Sequence, residues 1–262
     1  MRPRKRFGQH FLVDPAVVEQ IVAAIDPQPG DALVEIGPGR GVLTGPLLRR
    51  CGRLRVIEID RDLAAALGNN PPAGGELEVL PVDVLNVDFK ALRGAGPRLR
   101  IVGNLPYNIS TPLLFHLLAQ RDAIADMHFM LQKEVVERMA AVPGSKTYGR
   151  LTVMLAPHCT VESLFDVGPR AFRPPPQVTS SVARLKPHRS PPFTIDDEAL
   201  FARVVAAAFA QRRKTLRNAL RELASVETLT AAGIDASLRA ERVSPAQFAG
   251  LANLLFRTRA PV

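Results

Sequence analysis

Apolar residues along this chain fall into two patterns. Short continuous runs at 31–36, 54–59, 76–82, 99–103 and 126–132 have the length of buried strands, and between them apolar positions recur three and four residues apart, as on one face of a helix. Alternation of the two predicts a parallel sheet with helices on both faces. Two later runs, at 159–167 and 180–186, flank a proline-rich stretch and complete a seven-stranded sheet. The segment Pro187-His188-Arg189-Ser190-Pro191-Pro192 then reads as a linker. Everything beyond it has helical spacing, most clearly over 197–209, 212–223 and 245–256. The expectation is an α/β domain over 1–189 and a small all-helical domain over 190–262, with no internal repeat.

Candidate chemistry lies at the strand ends, where open α/β sheets bind ligands. The first run leads into Gly37-Pro38-Gly39-Arg40-Gly41 and then a helical stretch through Leu43, Leu47 and Leu48. Glycines in such a turn let a ligand approach the backbone closely. A dinucleotide fingerprint needs its third glycine at position 42, which is Val42. The tighter spacing found here suits S-adenosylmethionine, which has no pyrophosphate to cradle. Glu58 lies 21 residues beyond Gly37, where a nucleotide site places the carboxylate that accepts both ribose hydroxyls. Asp83 ends the third run and is suited to accept the adenine amine of a cofactor, with the backbone N–H of Val84 beside it for a ring nitrogen. Without a ligand, these residues also read as a glycine turn, a strand-end acid and a helix N-cap.

The fourth run ends in Gly103-Asn104-Leu105-Pro106-Tyr107. An exocyclic nucleobase amine is a poor nucleophile, because its lone pair is delocalised into the ring. The Asn104 amide oxygen and the Leu105 carbonyl can each accept one of its N–H groups, favouring a pyramidal nitrogen. Pro106 has a fixed φ and no N–H, so it holds these acceptors in a tight extended turn. Tyr107 offers a face on which a base can stack. The bland alternative is a turn in which Asn104 bonds its own backbone.

Four segments in this order, Gly8-Gln9-His10-Phe11-Leu12, Glu35 to Gly41, Asn104 to Ser110 and Phe172-Arg173-Pro174-Pro175-Pro176-Gln177-Val178-Thr179-Ser180, resemble the rRNA adenine dimethyltransferases. The bacterial members that act on the small ribosomal subunit are the most similar, and the likeness extends through 122–136 and 209–218. The resemblance implies a Rossmann-like seven-stranded methyltransferase sheet, S-adenosylmethionine as cofactor, and N6,N6-dimethylation of two adjacent adenines near the 3′ end of 16S rRNA. Residue by residue, it implies that Gln9, His10, Phe11 and Leu12 close over the methionine end of the cofactor. Glu35, Gly37 and Gly39 line it, Glu58 holds its ribose, and Asp83 and Val84 meet its adenine. Val84 departs from the small residue expected there, but its contact is through the backbone. Asn104, Leu105, Pro106 and Tyr107 position the target amine, with Asn104 also bordering the cofactor, and Phe172 stacks on the far face of the base. Read from the residues alone, Phe172 could equally plug the core from a proline-rich loop.

Composition narrows the partners. The 262-residue chain carries a net charge of +9 and a pI near 10.3, which suits a polyanion. Arg212, Arg213, Lys214, Arg217 and Arg221 cluster late in the chain, and on a helix over 212–223 several of them share one face, giving either an RNA contact or a solvated surface. Two cysteines, Cys51 and Cys159, make no disulfide framework. No apolar run is long enough to span a membrane, and His116, His128, His158 and His188 lack ligand spacing. The expectation is a cytoplasmic monomer that needs neither metal nor membrane. Three competing functions remain: a large-subunit rRNA methyltransferase, a DNA adenine methyltransferase, which lacks a recognition domain in so short a chain, and an RNA-binding ribosome-assembly factor with catalysis secondary.

Overall fold

The computed structural model of the protein describes residues 10–105 and 109–259. The chain divides into two units, one built from the residues up to Val136 together with Val161–Pro187, the other from Glu137–Thr160 and the residues from His188 onward.

The first unit is built on β2 (Leu33–Ile36), β3 (Arg53–Ile57), β4 (Glu76–Leu80), β5 (Leu99–Asn104), β6 (Ile124–Gln132), β7 (Cys159–Val167) and β9 (Ser180–Pro187), with a short separate ribbon of β1 (Phe11–Leu12) and β8 (Phe172–Arg173). The large sheet runs β4-β3-β2-β5-β6-β9-β7. Pairing from β4 through β6 is parallel, and β9 runs antiparallel to β6. All four residues of β2 are buried, as a strand covered on both faces requires, so its sequence reads as continuous rather than alternating.

The covering helices follow from local signals. Helix α1 (Pro15–Ile25) starts where Asp14 accepts from the N–H groups of Ala16 and Val17 and proline occupies the first position, and it buries Val18, Ile21, Val22 and Ile25. Helix α2 (Thr44–Cys51) buries Leu47, Leu48 and Cys51. Asp60 caps α3 (Arg61–Asn69) and Asp88 caps α4 (Phe89–Arg93). Helix α5 (Ser110–Leu118) follows the Asn104 turn, and α6 (Lys133–Met139) follows β6.

The chain passes from β2 to β3 and β4 on one side, then returns to place β5 and β6 on the other. This makes the carboxyl ends of β2 and β5 the switch point of the sheet, where a crevice must open. There the register pairs Ile36 with Gly103, and a Cβ at 103 would lie 2.6 Å from the Ile36 carbonyl oxygen. Only glycine permits this approach. At the opposite end of these strands Arg100 binds Asp31 (2.7 Å), Asp126 (3.1 Å) and the Ile25 carbonyl (2.6 Å), tying β5 to its neighbours and to α1.

The second unit is helical: α7 (Arg150–Leu155), α8 (Glu198–Phe209), α9 (Leu216–Ala219), α10 (Val226–Ala231) and α11 (Pro245–Arg259). Its core gathers Tyr148, Val153, Val204, Leu216, Leu229 and Phe248, and the Tyr148 hydroxyl donates to the Val243 carbonyl at 2.8 Å. Residues 137–160 therefore pack with the helical unit, which differs from the single boundary expected at 189/190. The helix expected over 212–223 is also shorter. The N–H groups of Leu216 and Arg217 donate to the carbonyls of Leu238 and Ala236 (2.8 and 3.1 Å) rather than to the preceding turn, so the chain cannot be helical back to 212. Among the described residues, no helix is long and apolar enough to cross a membrane.

Replacing Gly103 with Ala is expected to lower the unfolding free energy by about 1–3 kcal/mol, through overpacking of β2 against β5. Urea denaturation measures this, and an undiminished stability would show that the two strands can separate at no cost.

Candidate active site

A cavity of about 180 Å³ opens at the switch point. The glycine turn forms one wall, with Gly37 and Gly39 at φ +66° and +57°, a region that side-chain-bearing residues rarely adopt. Glu58, just past β3, is only 5 % exposed. Its two carboxylate oxygens accept from the backbone N–H of Gly39 (3.1 Å) and of Asp60 (2.9 Å), which fixes their orientation. Burial raises its carboxyl above the ordinary value, and those two N–H bonds oppose the rise. Asp83 accepts from the N–H of Leu85 at 3.0 Å, capping the 3-10 turn Val84–Asn86. The flanking Ile59 and Val82 are 49 % and 42 % exposed. Two apolar side chains left open beside two carboxylates fit a nucleoside, whose base needs flat apolar contact and whose ribose needs acceptors.

Glu35 lies deeper, on β2, and is 2 % exposed. The Thr44 hydroxyl donates to its Oε2 at 2.7 Å. Burial pushes the Glu35 carboxyl up to about 7; the Thr44 bond works against that rise and the neighbouring Glu58 adds to it.

Strand β1 of the β1–β8 ribbon lines the same cavity. Leu12 pairs with Phe172 and Phe11 with Arg173, and the Val13 N–H donates to the Ala171 carbonyl at 2.8 Å. The Phe11 ring lies under the Arg40 guanidinium, 4.7 Å from its centroid, and against Gly39, where a Cβ would approach it to 3.1 Å. At the end of β5, Asn104 Nδ2 donates to the His10 carbonyl at 3.2 Å. The Leu105 N–H donates to the Met130 carbonyl at 3.2 Å, anchoring the start of the turn to β6.

His10, Phe11, Leu12, Glu35, Gly37, Gly39, Glu58, Asp83, Val84, Asn104 and Leu105 all line this one cavity. Gln9, Pro106 and Tyr107 lie outside the described residues. Phe172 differs from its expected role: it is 1 % exposed and packs within the core cluster with Leu12, Val167 and Val182, so in this arrangement it offers no face to a base. Its paired position on the ribbon turns it inward. Ile59, Val82, Leu85 and Ile109 also line the cavity and escaped the sequence reading. The only available signal was an apolar residue just beyond each strand end.

In the helical unit Arg212, Arg213, Lys214, Arg217 and Arg221 are all exposed, but they do not share one helical face. Arg212 donates to the Lys146 carbonyl at 2.8 Å and lies 3.8 Å from Glu241. Lys214 and Arg221 join Arg203 around a groove of about 410 Å³ floored by Ala206, Ala207 and Ala210. Arg203 was not singled out from sequence because it falls within the regular pattern of α8.

The model of the family described as ribosomal RNA adenine dimethylase matches residues 1–256. The chain is 54 % identical, over 254 residues, to the ribosomal RNA small subunit methyltransferase A of Alcanivorax borkumensis, covering 97 % of this chain and 90 % of that one. Its identity to the protein of the same name from Salmonella choleraesuis is also 54 %, covering 96 % and 93 %. Among solved structures, a dimethyladenosine transferase from Plasmodium falciparum superposes with a TM-score of 0.77 at 25 % identity, over 92 % of this chain and 96 % of that one. The 23S rRNA methyltransferase ErmE superposes with a TM-score of 0.73 at 25 % identity, over 94 % and 99 %.

The buried Glu35 has a consequence for stability. In the folded protein it keeps its proton up to about 7, whereas the ordinary value, taken for the unfolded chain, is 4.5. Between these values the folded state binds more protons, so stability falls as pH rises through that window and levels off above it. Glu35→Gln, which leaves Thr44 an acceptor but cannot ionise, is expected to remove roughly 2–4 kcal/mol of that decline. Urea titrations from pH 4.5 to 8 test it; a slope identical to that of the parent would mean that Glu35 is ionised throughout.

Proposed function

The chain belongs to the ribosomal RNA adenine dimethylase family, and from that premise we propose that it transfers methyl groups from S-adenosylmethionine to the N6 amines of two adjacent adenines near the 3′ end of small-subunit (16S) rRNA. The observation that carries this reading is the placement of two sets of acceptors on one cavity. Glu58 and Asp83 suit a nucleoside, and Asn104 with Leu105 suits the amine of a second base.

The residues divide the work as follows. Glu58, already oriented by two backbone N–H groups, accepts the ribose hydroxyls. Asp83 and the Val84 N–H meet the cofactor's adenine, with Ile59 and Val82 as apolar contacts. His10, Phe11, Leu12, Glu35, Gly37 and Gly39 surround the remainder. When bound, the cofactor supplies an electrophilic methyl on a sulfonium. Asn104 Oδ1 and the Leu105 carbonyl each accept one N–H of the target amine, favouring a pyramidal nitrogen whose lone pair faces that methyl. The extra proton on nitrogen is lost after the methyl arrives, so no general base is needed. Tyr107 supplies the stacking face for the extruded adenine, a contact worth about 1–3 kcal/mol that helps offset unstacking. With Phe172 in the core, we assign it no contact with the base.

The exposed cations of the helical unit neutralise rRNA phosphates. Higher identity to relatives named for the small subunit than to a large-subunit enzyme favours the 16S substrate. We place the protein in the cytoplasm, acting as a monomer during ribosome biogenesis.

Incubation with S-adenosylmethionine and undermethylated small subunits, followed by mass spectrometry of the rRNA, is expected to show two adjacent dimethyladenines. Modification confined to large-subunit rRNA or to DNA would overturn the assignment. In the same assay Asn104→Ala is expected to lower turnover by about 10² or more, while cofactor affinity measured by calorimetry changes far less. Near-normal turnover in that variant would remove Asn104 from the reaction.

A further inference from the structure

We propose that His10 is a positioning residue for Asn104, its backbone carbonyl selecting which end of the Asn104 amide faces the cavity and its ring fixing the strap that carries this carbonyl. The inference rests on the reading that Asn104 accepts the target amine.

A carbonyl oxygen can only accept, so the contact between His10 O and the Asn104 amide at 3.2 Å requires the NH₂ end there and turns Oδ1 away from it. This matters chemically. The two ends of an amide are nearly isosteric and the terminal torsion of Asn is broad. A flipped amide would present N–H donors to an amine that has N–H donors of its own.

The position of the His10 carbonyl is in turn set from the proline loop. His10 Nδ1 lies 2.8 Å from the Pro174 carbonyl oxygen, which again can only accept, so Nδ1 bears the proton in this contact. Next along the strap, Phe11 pairs with Arg173 and Leu12 with Phe172. On its other side, Phe11 is held between Gly39 and Arg40. The strap thus touches the glycine turn, the proline loop and the catalytic asparagine, and the amine acceptor is correctly presented only when all three contacts are in register.

The test compares the full chain with His10→Phe, which keeps an aromatic ring but removes the donor, and with His10→Asn, which places an N–H the same number of bonds from the backbone as Nδ1. Three quantities are read: kcat on small subunits at saturating cofactor, cofactor Kd by calorimetry, and the side-chain amide resonance of Asn104 by NMR. In His10→Phe, kcat is expected to fall about three- to tenfold, the size of one neutral hydrogen bond. The Asn104 resonance should move and kcat should fall by a larger factor than cofactor affinity, while His10→Asn recovers both kcat and the resonance. An unmoved resonance, or unchanged kcat in His10→Phe, would overturn the proposal. So would equal losses of kcat and cofactor affinity in both variants, which would mark a strap that only covers the cofactor. Thermal melts exclude misfolding as the cause. The resonance is read without turnover, so a parent protein inactive on rRNA would refute the functional reading while the His10 comparison still stood.

Discussion

The spacing between β2 and β5 governs the site. With the Ile36 carbonyl only 2.6 Å from where a Cβ of residue 103 would lie, no side chain at 103 fits between the two strands, and the turns that follow them abut. A Cβ on Gly37 would lie 3.9 Å from the Asn104 carbonyl oxygen. The glycine turn and the start of the Asn104 turn, to which we assign the cofactor and the target amine, are thereby two lips of one crevice. On that assignment, proximity of donor and acceptor, which can account for much of a transfer enzyme's advantage, is built into strand pairing. Loops need not move far to create it. Arg100 fixes the other end of the same strands through Asp31 and Asp126, so the pairing is held at both ends.

The carboxylates of the cavity are handled differently from one another. Glu58 meets two backbone N–H groups, whose positions are set by the main chain. Glu35 meets a single hydroxyl, from Thr44, and is more deeply enclosed. This leaves one carboxylate oriented by the main chain where a ribose is expected and a second carboxyl, Glu35, that burial holds up to about 7 behind the glycine turn.

The central strands β2, β5 and β6 were legible because they are buried on both faces and announce themselves as apolar runs. The cavity residues were legible because glycine spacing and strand-end acids are short-range features. What escaped depends on contacts distant in sequence. Phe172 in a proline loop looks the same whether it stacks on a base or fills the core, and only its pairing opposite Leu12, far away in the chain, turns it inward. The pattern over 212–223 is helical, yet the carbonyls of Ala236 and Leu238 capture the N–H groups that would have extended the helix. Nothing in 137–160 says that Tyr148 and Val153 belong with Phe201 and Phe248.

That last feature bears on how the molecule is made. Residues 137–158 lie between β6 and β7, and the core they join is completed by residues after 188. Leaving a ribosome from N-terminus to C-terminus, the chain has all strands of its sheet available while this segment still awaits partners not yet synthesised. The sheet unit can therefore fold first, as domains generally do in order of emergence. The helical unit, which carries the exposed cations, cannot close until the residues through α11 have emerged, and so the arrangement of those cations takes shape only after the sheet.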